Sequence, residues 1–305
     1  MSTRDQVTAT TVGPVTTEPV VFRPFLAALW MTGALVSFTL MAVAGRAVQV
    51  ELSTFELMTW RSFIGFVIVA VIIARSREGF RQIRTRHPWL HVQRNIFHFA
   101  GQTTWFLALM MIPLAQLTAL EFTNPVWVMM LAPLLLGERM TPRKLIALMM
   151  GFVGVLIVAR PGVDPVGLGH ALALMCALGF ALNTIWTKKI MTAGDGIMCM
   201  LFWMTVSQTL MGLALSLPGG FTMPSMAIWP WLLVVGLTGL TAHYSISSAL
   251  SLAPASIVAP TDFLRLPLMA VVGATLYGED LVIWVFIGGA LIVGANLLNL
   301  TGRRS

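Results

Sequence analysis

Charge is the scarcest commodity in this chain. Asp, Glu, Lys and Arg make up only 10% of its 305 residues, against roughly 25% in an ordinary soluble domain. A water-soluble fold of this length could not clothe its surface with so few. Cysteine is almost absent: Cys176 and Cys199 both lie in or beside apolar runs, which excludes a disulfide framework and a cysteine-based metal cluster. None of CxxC, HExxH, GxxxxGKS/T or GxSxG occurs. The common soluble chemistries therefore have no foothold, and no metal, no cofactor and no enzyme activity are expected. The alternating segments of about ten residues that mark a transmembrane β-barrel are missing as well.

What is present is apolar. Hydrophobic types reach 57%, with 20 Met, 17 Phe and 10 Trp, and the mean hydropathy is +0.84. The solvent for most of this chain is lipid. A net charge of +7 would suggest nucleic acid in a soluble protein, but here the basic residues sit between apolar runs. They read as orientation signals, so the expected partners are membrane lipid and a small molecule, with no nucleic acid.

A helix needs roughly 20 apolar residues to cross the hydrocarbon core. Ten segments qualify, near 24–45, 55–74, 94–112, 115–136, 143–159, 168–187, 197–217, 229–250, 254–276 and 281–300. Their short connections make neighbours antiparallel, so the expected fold is an all-α membrane bundle of ten helices. Residues 1–23, rich in Thr, Val and Pro, read as a disordered tail, and 301–305 as a second tail. Ala42-Val43-Ala44 mimics a signal-peptidase site, but the preceding run is too long for a secretory signal and reads as an uncleaved first span.

The basic residues set the orientation. With the N-terminus inside, fifteen of the 19 Lys and Arg fall in cytoplasmic segments and only Arg46 and Arg160 outside. Arg61 and Arg265 remain within spans. Both termini are expected to be cytoplasmic, in a bacterial inner membrane.

A shift of 141 residues aligns the chain with itself. Ala108-Leu109 meets Ala249-Leu250, Pro113 meets Pro254, Phe122 meets Phe263, and Gly137-Glu138 meets Gly278-Glu279. Rare polar positions agree too: Gln102 with His243, Glu121 with Asp262, and Asn124 with Arg265. The shift carries spans three and four onto eight and nine. Five spans per copy is an odd number, so the copies cross in opposite directions, as in many secondary transporters. The expected repeats are 24–160 and 161–300. Pro125 and Pro267, one residue out of register, interrupt matched helices, and such interruptions point to a central binding site.

Several stretches carry a family resemblance. They are Trp60-Arg61, the run "PLAQLTALEFTNPVWVMMLAPLLLGE" over 113–138, "GFVGVLIVARP" over 151–161, and the closing "LYGEDLVIWVFIGGALIVG". Over about residues 24–300 the chain resembles the EamA branch of the drug/metabolite transporter superfamily, a ten-helix fold of two five-helix repeats. Within it, the chain looks most like a group that includes riboflavin and S-adenosylmethionine importers. The resemblance implies transport of an organic solute.

Four charges stand inside spans: Arg61, Glu121, Asp262 and Arg265. Burying each is costly, and two of either sign cancel. They read as the wall of a substrate cavity, with Arg61 and Arg265 offering charge-assisted hydrogen bonds, or as a salt-bridge network locking helices together. Thr118, Glu121 and Asn124 are expected on one face of span four, and Asp262 with Arg265 on one face of span nine. Glu121 and Asp262 are the candidate proton carriers. Gln102 and His243, with His98 one turn before Gln102, join the candidate lining, as does Trp60, whose ring suits a flat solute by stacking. Ala147 with Gly151, and Ala290 with Gly294, have the spacing of close helix packing or of a homodimer face. The leading reading is a secondary transporter moving a neutral, zwitterionic or aromatic metabolite by alternating access. A channel, or a lipid-modifying enzyme using His243 near Tyr244 and Ser245, are the alternatives.

Overall fold

The computed structural model describes residues 23–137, 140–160, 166–253, 258 and 261–301. The expected tails, apart from Arg23 and Thr301, lie outside the described residues, as do Glu138 and Pro254 of the repeat alignment. The regular structure described is helical: α1 Pro24–Val48, α2 Thr54–Arg75, α3 Pro88–Leu109, α4 Leu114–Glu121, α5 Asn124–Leu136 and α6 Pro142–Ala159, then α7 Leu168–Thr192, α8 Ile197–Ser216, α9 Trp229–Leu252, α10 Arg265–Tyr277 and α11 Ile283–Thr301. Among the described residues, six helical stretches are long and apolar enough to cross a bilayer, and α10 and α11 are shorter apolar helices.

Local chemistry explains where these helices start. Pro stands in the first turn of α1, α3, α5, α6 and α9, where its missing N–H has no helical partner to lose. Ser53 opens α2 with a capping box: its hydroxyl accepts from the Glu56 N–H while Glu56 accepts from the Ser53 N–H.

The fourth apolar run is two helices instead of one. Pro125 cannot donate to the carbonyl one turn back, and the chain turns at Phe122-Thr123 between α4 and α5. The released Phe122 carbonyl accepts from Asn296 Nδ2 of α11 at 3.0 Å, as membrane burial requires. A second turn falls at Phe263-Leu264, just before α10. Both α5 and α10 run for 13 residues and end on a left-handed glycine, Gly137 (φ 67°) and Gly278 (φ 64°). The two breaks, the two helix starts and the two glycines are each 141 residues apart.

The main packing pairs are α1 with α9, α3 with α7, α2 with α8, and α6 with α11, while α4 packs on α10. Counting α4 and α5 as one span, this set is unchanged when every span is exchanged for the one five places on. Glycines permit the closest approaches. A Cβ on Gly288 of α11 would lie 2.6 Å from the Gly154 carbonyl oxygen of α6, and one on Gly179 of α7 would lie 2.8 Å from Gly101 Cα of α3. The small residues singled out from sequence are otherwise disposed. Gly151 meets Val126 of α5, Ala147 is buried, and Ala290 is exposed.

One end of the bundle is laced by carboxylates. Glu279 takes Arg46 Nη1 at 2.6 Å and the Leu114 N–H at 2.8 Å, while Arg46 also donates to the Leu109 and Ile112 carbonyls. Glu56 and Glu51 accept from the backbone of Thr222 and Ser225. At the other end, Asp195 in the α7–α8 turn accepts from Thr85 at 2.5 Å and pairs with His91 Nε2 at 2.9 Å. Burial alone would raise the Asp195 pKa, but the hydrogen bonds from Thr85 and His91 outweigh it and hold it below its ordinary value.

Gly179→Leu and Gly288→Leu place a side chain against backbone atoms that cannot swing aside. Each is expected to destabilise the fold by roughly 1–3 kcal/mol or more, read as a fall in melting temperature in detergent. Gly294→Ala, whose Cβ meets only the end of Met150 at 3.4 Å, should melt with the parent. An unchanged melting temperature for Gly179→Leu would contradict the α3–α7 contact.

Candidate functional site

A cavity of about 460 Å³ lies between the two breaks, within the ~300–1,000 Å³ typical of small-molecule sites. Seven of the eight residues singled out from sequence line it: Arg61, Gln102, Glu121, Asn124, His243, Asp262 and Arg265. Trp60 is not among the lining residues. Its ring packs with Phe63, Phe221 and Trp229 at centroid distances of 6.3, 5.8 and 5.2 Å. Thr118, expected on the Glu121 face, is buried and bonds its own helix at the Leu114 carbonyl.

Glu121 ends α4 and Arg265 begins α10, so the two breaks bring the acid and the arginine together. Arg265 Nη2 lies 3.0 Å from Glu121 Oε1 and 3.5 Å from Asp262 Oδ2. The second Glu121 oxygen accepts from the indole N–H of Trp105 at 2.9 Å. The guanidinium lies against two rings, 4.5 Å from the centre of Phe38 and 4.9 Å from that of Phe122, where a desolvated cation is favoured. The break phenylalanines touch each other, Phe122 and Phe263 meeting edge to face at 5.0 Å.

Arg61 is held differently. Its guanidinium is buried, donates to Gln102 Oε1, and lies 5.9 Å from the Phe106 ring centre. Gly239 of α9 makes the room: a Cβ there would sit 2.6 Å from Arg61 Nη2. Among the described residues, no carboxylate lies within ion-pair distance of Arg61. The cavity is therefore polarised. Two carboxylates share one arginine at one pole, leaving a negative charge in excess, and an arginine without an acid stands at the other.

His243 is exposed, yet protein encloses its ring; the space it faces is the cavity, which it lines. His98, one turn before Gln102, stands 6.3 Å from His243 ring to ring and hydrogen-bonds to Gln208. Other lining residues had less prominence in sequence: Trp105, Phe38 and Phe180, with Asn183 and Thr184 of α7. Asn183, a buried amide in an apolar helix with its oxygen unpaired among the described residues, carried the clearest overlooked signal. The rings look like any core aromatic until the helices are packed.

Residues 25–160 and 167–301 each match the EamA-like transporter family. The chain belongs to that family. This EamA protein is similar to a riboflavin transporter of Rhizobium johnstonii, 30% identical over 277 residues that cover 90% of this chain and 91% of the relative. A riboflavin transporter of Brucella anthropi is 33% identical over 243 residues, 78% of this chain and 84% of its own. The S-adenosylmethionine uptake transporter of Rickettsia prowazekii is 23% identical, covering 82% and 84%. A crystal structure 18% identical superposes with a TM-score of 0.62 over 91% of this chain and 98% of its own, which shows a shared fold. The protein is an integral membrane transporter and not an enzyme.

Breaking the buried ion pair leaves a charge uncompensated, at a cost of roughly 3–5 kcal/mol. Glu121 has the shorter contact and the extra indole bond, whereas Asp262 is more distant and its side chain more exposed, 26% against 13%. Glu121→Gln is therefore expected to lower the melting temperature in detergent well below that of Asp262→Asn. The reverse order would mean that Asp262 is the true counter-ion of Arg265.

Proposed function

We propose that this chain is a secondary transporter that carries a small, flat organic metabolite by alternating access around the polarised cavity. Its ten spans form two inverted five-helix repeats, 24–160 and 161–300, with both termini cytoplasmic. The observation that carries this reading is the pair of breaks 141 residues apart, whose flanking residues Glu121, Asn124, Asp262 and Arg265 all line one cavity. Helix length adds support. At about 1.5 Å per residue, α4 reaches roughly 12 Å from the carboxylate-laced end and α10 roughly 20 Å back to it. The breaks then sit symmetrically about the middle of a ~30 Å core.

An inverted repeat supplies two arrangements of nearly equal energy, because exchanging the conformations of the halves exchanges inside for outside. The Arg46–Glu279 pair is the closed external gate of the state described. The substrate is a heteroaromatic solute that offers acceptors to Arg61 and donors to the Glu121–Asp262 pole, its rings lying among Phe38, Phe122, Phe180 and Trp105. Riboflavin has that chemistry, with ring carbonyls at one end, ribityl hydroxyls at the other and no net charge. The relatives named riboflavin transporter favour it over S-adenosylmethionine.

Purified protein in liposomes is expected to take up riboflavin saturably. Losing one charge-assisted hydrogen bond is worth about 1.5–3 kcal/mol, so Arg61→Ala should weaken apparent affinity roughly ten- to hundred-fold. In the same assay, Glu121→Gln combined with Asp262→Asn should abolish uptake driven by a pH gradient while riboflavin binding stays measurable. Flux linear in concentration would make the protein a channel. Arg61→Ala at parental affinity would remove that arginine from the site.

A further inference from the structure

A second cluster of chemistry-bearing side chains lies away from the cavity, and the transport mechanism uses none of it. His91 stands in the first turn of α3, Asp195 in the turn between α7 and α8, and Cys199 in the first turn of α8. One ligand atom from each lies within 4.8 Å of the other two. We infer that these three residues bind a borderline divalent cation of the zinc class, which pins the start of α3 to the start of α8.

The donor set suits such an ion. Imidazole, thiolate and carboxylate are its usual ligands at about 2.0–2.3 Å, so the edges of a tetrahedron around it are roughly 3.3–3.7 Å. The contact of 2.9 Å between His91 Nε2 and Asp195 opens to that length with a small adjustment. Charge closes too, because a thiolate and a carboxylate neutralise a divalent cation at the membrane edge. The metal-free hydrogen bonding is incomplete. His91 is 2% exposed, yet its Nδ1 has no partner among the described residues, and the Cys199 thiol is free and buried. An unsatisfied buried nitrogen costs free energy, and an unused thiol beside an imidazole and a carboxylate is the commoner mark of a ligand than of a packing residue.

Sequence spacing supports the fourth position. His87 precedes His91 by one helical turn, as Asp195 precedes Cys199, so two pairs at the same interval converge from two segments. His87 or a water completes the tetrahedron. The nearest buried cation, Arg94, is already turned to Thr187 and Asn95. The spare carboxylate oxygen and the thiol therefore have no arginine to answer.

The test uses full-length protein with any affinity tag removed, stripped with chelator in detergent and titrated with cobalt(II) as the spectroscopic stand-in for zinc. One equivalent should produce thiolate-to-metal charge-transfer absorption, which zinc then displaces while raising the melting temperature. Cys199→Ser should lose the band, Cys176→Ser should keep it, and His91→Ala should weaken binding at least ten-fold. No band and no zinc-induced shift in the parent protein overturns the assignment, whatever the variants do. A band that survives Cys199→Ser, or vanishes in Cys176→Ser, overturns it equally. Binding of magnesium as tightly as zinc would do so too, because that ion takes oxygen ligands.

Discussion

An arginine between two carboxylates inside an apolar bundle is the constraint on which this molecule is built. Each of those charges alone would be expelled from hydrocarbon. Together Glu121, Arg265 and Asp262 hold one another in place, and they do so across two chain segments far apart in sequence. Aromatic faces complete the arrangement, because Phe38 and Phe122 cover the guanidinium that water would otherwise solvate. The helices must break where they do, since a continuous α4–α5 would carry Glu121 and Asn124 on one rigid face instead of opening backbone beside the acid.

The breaks in turn organise the rest of the interior. They free carbonyls that need donors, and Asn296 of α11 supplies one. They set the starts of α5 and α10 at the cavity wall, where the positive ends of the helix dipoles lie near Glu121 and Asp262. Glycine seams elsewhere, Gly154 on Gly288 and Gly101 on Gly179, bring the outer helices close enough to seal the remaining volume. The polar positions are therefore not scattered through an apolar protein. They collect along one path through the bundle, from Arg61 and Gln102 past His243 to the Glu121 pole.

Much of that path was legible in the sequence because charge in lipid is rare and conspicuous. Arg61, Glu121, Asp262 and Arg265 stood out for their cost, Pro125 and Pro267 for what a missing N–H does to a helix. Gln102 and His243 stood out only through the 141-residue repeat. Trp60 misled for a physical reason: one tryptophan in an apolar run looks like the next, and whether it meets a cavity or Trp229 depends on helix rotation. The same ambiguity hid Trp105 and Phe38. Periodicity also placed Thr118 and Asn124 on one face, which holds only for an unbroken helix. The grouping of His91, Asp195 and Cys199 is tertiary, since about a hundred residues separate its two halves and no local motif announces it.

The edge-to-face meeting of Phe122 and Phe263 has a mechanical corollary. Two equivalent rings touching at the point of pseudo-symmetry occupy the fulcrum of any see-saw between the halves. Side chains farther out must trade neighbours when the halves tilt, whereas this pair only rolls, and edge-to-face attraction changes little over a modest roll. The bundle thus keeps a lubricated bearing at its centre, so that the energy of switching sides is set at the rims, by clasps such as Arg46 with Glu279.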